Sequence, residues 1–176
     1  EVAEVDLSGK WAVAFDGEEE GVKEPAIGVF VQHENKLTGT FLTPTGDYRY
    51  LSGFVSGKHL QLSCFDGEHA FLFKGQVEGD SIKDGHFWSG KTWHQMWVAQ
   101  KDSTVTLPDA ESLTYLKEGY DHLSFRFPNL QGKDVSLDDE RFKDKVVIVQ
   151  LMGSWCPNCM DETAFLAPYY ASNKDR

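Results

Sequence analysis

Turn-forming residues recur about every ten positions through the first hundred residues, and this spacing constrains the fold more than any other feature of the chain. The turns are Asp16-Gly17, Glu34-Asn35, Pro44-Thr45-Gly46, Ser56-Gly57, Asp66-Gly67, Glu78-Gly79-Asp80 and Ser89-Gly90. Asp-Gly and similar pairs supply the positive φ angles that tight hairpins need. Between them lie eight β-like stretches: Lys10–Phe15, Ala26–His33, Lys36–Thr43, Tyr48–Val55, His59–Phe65, Ala70–Val77, Ile82–Trp88 and Thr92–Gln100. Strands at this spacing predict an antiparallel meander, closed as an up-and-down barrel or folded as a sandwich. Alternation supports the strands. Trp11, Val13 and Phe15 fall on one face, as do Ile27, Val29 and Val31, and Leu60, Leu62 and Cys64. An eight-stranded barrel is just wide enough to fill itself with side chains or to hold one small ligand.

The pattern changes after residue 104. Residues 105–122 read as a linker with a short helix, started by Pro108 and Asp109, with Leu113 and Leu116 as its apolar face and Gly119 as its stop. Phe125–Leu130 and Asp134–Leu137 form a predicted hairpin around Gln131-Gly132-Lys133, and Asp138–Phe142 a helical turn. Val146 to Met152 is a nearly continuous apolar run, expected as a strand buried on both faces. Gly153-Ser154-Trp155-Cys156-Pro157-Asn158-Cys159 follows at once, then a helix to about Ser172, with Pro168 marking an end or a kink. The predicted organisation is a mainly β domain over 1–104, a linker over 105–122 and an α/β module over 123–176.

Strand, tight loop, cysteine pair, helix is an order that carries chemistry. Two cysteines three apart at a helix start can close a disulfide across one turn and reopen it. At the N-cap, unpaired backbone N–H groups and the helix dipole favour thiolate over thiol, which lowers such a pKa to ~3.5–7.5. Cys156 is therefore the expected nucleophile, and Cys159, one turn inward, the thiol that resolves the mixed disulfide. Pro157 suits the first helical turn, where its missing N–H costs no intrahelical bond. A zinc site needs about four ligands, and no second Cys or Cys/His pair accompanies this one. A c-type haem motif requires His where this chain has Met160.

Other residues are read more plainly. Cys64 is expected as a small buried hydrophobe on the Leu60–Leu62 face. The six histidines show no close pair with metal-ligand spacing, so neither a metal nor a cofactor site is expected. Phe87, Trp88, Trp93 and Trp97 read as core filling rather than a ligand cavity, Glu18-Glu19-Glu20 as a solvated turn, and Asp138-Asp139-Glu140 as a helix opening. The net charge of −11 disfavours nucleic acid as a partner. No apolar run approaches the roughly 20 residues that span a bilayer. The chain starts at Glu1, so a processed or excised chain is expected.

Two resemblances add to this reading. Gly9-Lys10-Trp11 resembles the Gly-x-Trp first strand of lipocalin-like barrels. Phe127-Pro128-Asn129-Leu130 with Gly132, the Lys145–Met152 segment, Trp155-Cys156-Pro157-Asn158-Cys159 and Glu162 resemble the first half of a thioredoxin-like domain of the TlpA/ResA group of extracytoplasmic bacterial thiol–disulfide oxidoreductases. The resemblance implies a reductase of protein disulfides, supplied by an upstream electron donor, in the periplasm or at the extracytoplasmic face of the membrane. Trp155 would shape access, and Glu162 would match the family's active-site glutamate. Two departures stand out. Ala164 occupies the place of a helix-kinking proline, and no proline follows Pro168 to lead the family's cis-proline strand. A truncated module is thus expected, its sheet completed by a second chain. The alternative is a non-catalytic barrel that binds a small ligand or a partner and carries an inactive redox segment; a purely structural barrel that positions the redox module is a third reading.

Overall fold

The computed structural model describes residues 1–16 and 21–174 of the 176-residue chain. The second half of the Asp16-Gly17 turn and Glu18-Glu19-Glu20 lie outside the described residues. The chain divides into two compact units, one formed by Glu1–Asp109 with Gly153–Arg176 and the other by Ala110–Met152.

In the first unit the meander closes into a barrel. Its strands are β1 (Gly9–Asp16), β2 (Lys23–His33), β3 (Lys36–Thr43), β5 (Leu51–Ser56), β6 (His59–Phe65), β7 (Ala70–Glu78), β8 (Ser81–Ser89) and β9 (Trp93–Lys101), with β4 (Gly46–Asp47) a two-residue fold-back on the end of β3. Successive staves pair antiparallel, and β1 returns to β9 with Trp11 opposite Lys101 and Phe15 opposite Trp97. That last ladder decides for the barrel over the sandwich. With both edges paired, no stave exposes an open row of backbone donors and acceptors.

Side chains fill the interior. Trp11, Phe15, Phe30, Phe41, Phe73, Phe87 and Trp97 are all buried, with Leu37, Val55, Leu60, Leu62 and Ile82 between them. Phe73 and Phe87 stack with centroids 4.4 Å apart, and Phe41 meets Trp97 edge-on at 5.3 Å. Such pairs add about 0.5–1.5 kcal/mol each beyond the area they bury. The small interior expected of eight strands is therefore spent on aromatic rings. Gly85 makes room for this packing: a Cβ there would stand 2.7 Å from the Trp97 indole. One end is tied by the N-terminal segment, where Trp11 donates its indole N–H to the Leu7 carbonyl at 2.8 Å and the Gln32 amide bonds the backbone of Val5 and Leu7.

Two strand-level expectations need correction. On β2 the inward face is Ala26, Gly28 and Phe30, whereas Val31 is 50% exposed. The run Ala26-Ile27-Gly28-Val29 is apolar on both faces, and Phe30 alone fixes which side is core. The strand expected from Tyr48 begins only at Leu51. Arg49 adopts a left-handed backbone with φ 61°, which a strand cannot accommodate. The kink turns Tyr48 against the core rings Phe15, Phe41 and Phe73 while Tyr50 stays exposed.

The second unit holds little regular structure. Helix α1 (Ala110–Leu113) is a single turn, shorter than the 108–119 expectation. The predicted hairpin forms between β10 (Arg126–Pro128) and β11 (Asp134–Ser136), and the helical turn appears as a 3-10 segment at Glu140–Phe142. The apolar run over 146–152 is not a strand, and it is not buried: Val146 is 97% and Leu151 92% exposed. A buried strand needs neighbours on both edges and helices on both faces, and none forms around it among the described residues. Helix α2 (Pro157–Asn173), in the first unit, matches its predicted span. It runs through Pro168 rather than ending there. It buries none of its residues, and Phe165, Tyr169 and Tyr170 are exposed.

Candidate functional site

Cys156 is the N-cap of α2, with extended backbone angles (φ −98°, ψ 106°), and Pro157 takes the first helical position. Ser154 and Trp155 form a turn, closed by the Cys156 N–H donating to the Gly153 carbonyl at 3.0 Å. Cys156 and Cys159 are joined by a disulfide with their Cα atoms 5.3 Å apart. The Cys159 backbone N–H donates to Cys156 Sγ at 3.2 Å. One of the four orphan donors of the helix start is thus aimed at the sulfur that would carry negative charge after reduction. The arrangement is chemically specific. A thiolate at Cys156 gains a backbone hydrogen bond and the positive end of the helix dipole, whereas Cys159 sits inside the first turn with its N–H already committed.

Both cysteines are partly buried, while Trp155 is 64% exposed beside them. Glu162 lies exposed on α2, three residues beyond Cys159 and so on the adjoining part of the helix surface. Met160 is 45% exposed.

Two barrel loops reach the start of α2, and neither was recognisable from sequence as part of the site. The first is the kink after β4. Arg49 forms an ion pair with Asp161 and donates to the Asn158 side-chain carbonyl at 3.3 Å, while the Asn158 amide donates to the Asp47 carbonyl at 3.1 Å. Bonding to Asp161 holds the Arg49 guanidinium still more firmly in its charged form. The second is the β6–β7 turn. His69 stacks on Phe71 at 5.4 Å and presents its ring edge-on to Trp155 at 6.4 Å. Asp66 anchors that turn, accepting from the backbone N–H groups of Glu68 and His69 and from His69 Nδ1 at 3.0 Å. Although burial pulls the other way, these bonds hold the Asp66 carboxyl below its ordinary value. Arg49 is marked by its positive φ, which no sequence signal announces for an arginine. The Asn158 and Asp161 contacts depend on that kink.

Cys64, the third cysteine, is free and half-buried on the expected face, and its thiol donates to the Tyr48 carbonyl at 3.7 Å. Burial, reinforced by the Asp66 charge, pushes its pKa up. Less of it is therefore thiolate near neutral pH than of an unperturbed cysteine. Of the aromatic residues weighed for a cavity, Phe87 and Trp97 are core, while Trp88 lies on the outer face and Trp93 is 42% exposed.

Fold and site together define a closed, side-chain-filled antiparallel barrel of eight strands followed by a helix whose N-cap is one half of a disulfide. Compared with models of known protein families, with curated proteins and with solved structures, the chain matches none.

Proposed function

We propose that this chain carries the redox centre of a thiol–disulfide oxidoreductase acting on protein disulfides. The observation that carries the reading is the Cys159 N–H directed at Cys156 Sγ at the N-cap of α2. In the reduced protein the Cys156 thiolate attacks a substrate disulfide. One substrate sulfur leaves as a thiolate and Cys156 becomes the mixed disulfide. Cys159, deprotonated, then attacks Cys156 Sγ, releases the second substrate thiol and closes the Cys156–Cys159 bond. Two electrons pass to the substrate, and an upstream dithiol donor must return them. Trp155, exposed beside the pair, offers a flat apolar surface for the substrate chain. The TlpA/ResA-like motif residues around the pair favour an extracytoplasmic, reducing role.

A ligand held inside the barrel is the less favoured reading, because aromatic side chains occupy the interior. The test is equilibration of the full chain in glutathione redox buffers, with the Cys156–Cys159 state read by thiol trapping and mass spectrometry. A reversible two-electron couple, together with insulin-disulfide reduction that disappears in Cys156→Ser, is the expected result. A pair that stays oxidised throughout and reduces no substrate would refute the reading.

A further inference from the structure

The outer face of β8 and β9, away from the cysteine pair, brings together two imidazoles that lie eight residues apart in sequence. His86 Nδ1 and His94 Nε2 are 2.9 Å apart. They are diagonal neighbours on the ladder, since His86 faces Met96 and Trp88 faces His94 across the strand pair. The Trp88 ring lies against both, with centroids 5.3 Å from His86 and 5.1 Å from His94. Behind His86 stands a carboxylate. The register shift between Ile82 and Gly85 gives Asp84 a left-handed backbone (φ 47°) and sets its Oδ1 3.4 Å from His86 Nε2. The nearby cation is Lys74, whose Nζ sits over the Trp88 ring at 5.9 Å.

This geometry points to a binding site for a divalent, imidazole-preferring transition metal such as Zn(II), with His86 Nδ1 and His94 Nε2 as the two protein ligands and water completing the shell. A carboxylate behind a ligating histidine fixes its tautomer; here Asp84 Oδ1, 3.4 Å from Nε2, favours the hydrogen on Nε2 through its charge and so leaves the Nδ1 lone pair free. His94 then donates its Nε2–H to that lone pair in the metal-free pair. On metal binding it shifts that hydrogen to Nδ1, so no net proton is released from the neutral rings. Two nitrogens about 2.0–2.1 Å from a tetrahedral zinc ion stand roughly 3.4 Å apart, so the rings must part by about half an ångström and turn from facing each other until both lone pairs meet at the ion. Met96, directly across from His86, leaves a thioether within the same patch for a softer ion. Among the described residues no three His, Cys, Asp or Glu side chains converge on one point, which makes this an open, two-ligand site rather than a closed structural one.

The experiment is Zn(II) titration of the full chain, disulfide closed and in a Cys64→Ser background, against a chromophoric chelator, with the histidine rings followed by long-range 1H–15N NMR. One equivalent should bind and move the ring signals of His86 and His94 but not those of His33 or His59. His86→Gln and His94→Gln should each abolish competition with the chelator, and Asp84→Asn, which tolerates the left-handed backbone, should weaken it about ten-fold. Absence of binding by the parent chain, or parent-like affinity in both histidine variants with native circular dichroism, would overturn the proposal.

Discussion

At the scale of single residues, the three cysteines differ because their surroundings differ. Cys156 has a backbone N–H on its sulfur, whereas the Cys64 thiol, partly buried and near the Asp66 charge, itself donates to the Tyr48 carbonyl. In the reduced chain at neutral pH, Ellman's reagent should therefore modify Cys156 first and Cys64 slowest. The order is checked by peptide mapping after brief exposure. Asp66 makes a second residue-scale prediction. Its folded pKa is depressed, so its contribution is fully present above the ordinary carboxylate value near ~3.9 and fades as pH falls through the lowered folded value. Acid unfolding of Asp66→Asn should accordingly lose part of its pH dependence below about pH 4, at a cost of about 1 kcal/mol at neutral pH from the lost charged acceptor. Urea titrations at pH 3 and pH 7 measure both. His86 and His94 show what residue-level reading of the sequence overlooks. A spacing of eight carries no metal signal until the hairpin register is known.

At the scale of elements, the strands were legible and their exceptions were not. The β3 and β6 bounds, Lys36–Thr43 and His59–Phe65, follow directly from alternation and turn residues. Helix α2 was legible for a different reason, since a cysteine N-cap followed by proline specifies its start locally. The run over 146–152 misled because a continuous apolar stretch encodes a buried strand only when other strands flank it. The break at Arg49 has no propensity signature, because arginine pays a steric penalty in the left-handed region that tertiary contacts must offset. Close packing of Gly85 on Trp97 yields an element-scale prediction. Gly85→Ala should force β8 away from β9 and lower stability by about 1–3 kcal/mol, read as a reduced urea midpoint with unchanged slope. Gly79→Ala, in a turn with open space around it, should cost less despite its φ of 60°.

At the scale of the whole molecule, the core and the chemistry are separate. Among the described residues, every residue of the hydrophobic core lies between Leu7 and Ala99, and α2 contributes none. A fragment spanning residues 1–109 should therefore unfold cooperatively, with a melting temperature within a few degrees of the full chain's; calorimetry of both decides this. The cysteine pair rides on a helix tied to the barrel by contacts near the surface such as Arg49–Asp161, which are individually worth under about 1 kcal/mol. The barrel loops at Arg49 and His69 lie beside the start of that helix.

Activation of the Cys156 thiol by the start of α2 can be read from the thiolate itself. Its most direct test is the pH dependence of thiolate absorbance near 240 nm in the reduced full chain. One step is expected well below the ordinary cysteine pKa of ~8.5, lost in Cys156→Ser and retained in Cys64→Ser. Titration of all three thiols at or above that ordinary value would contradict it.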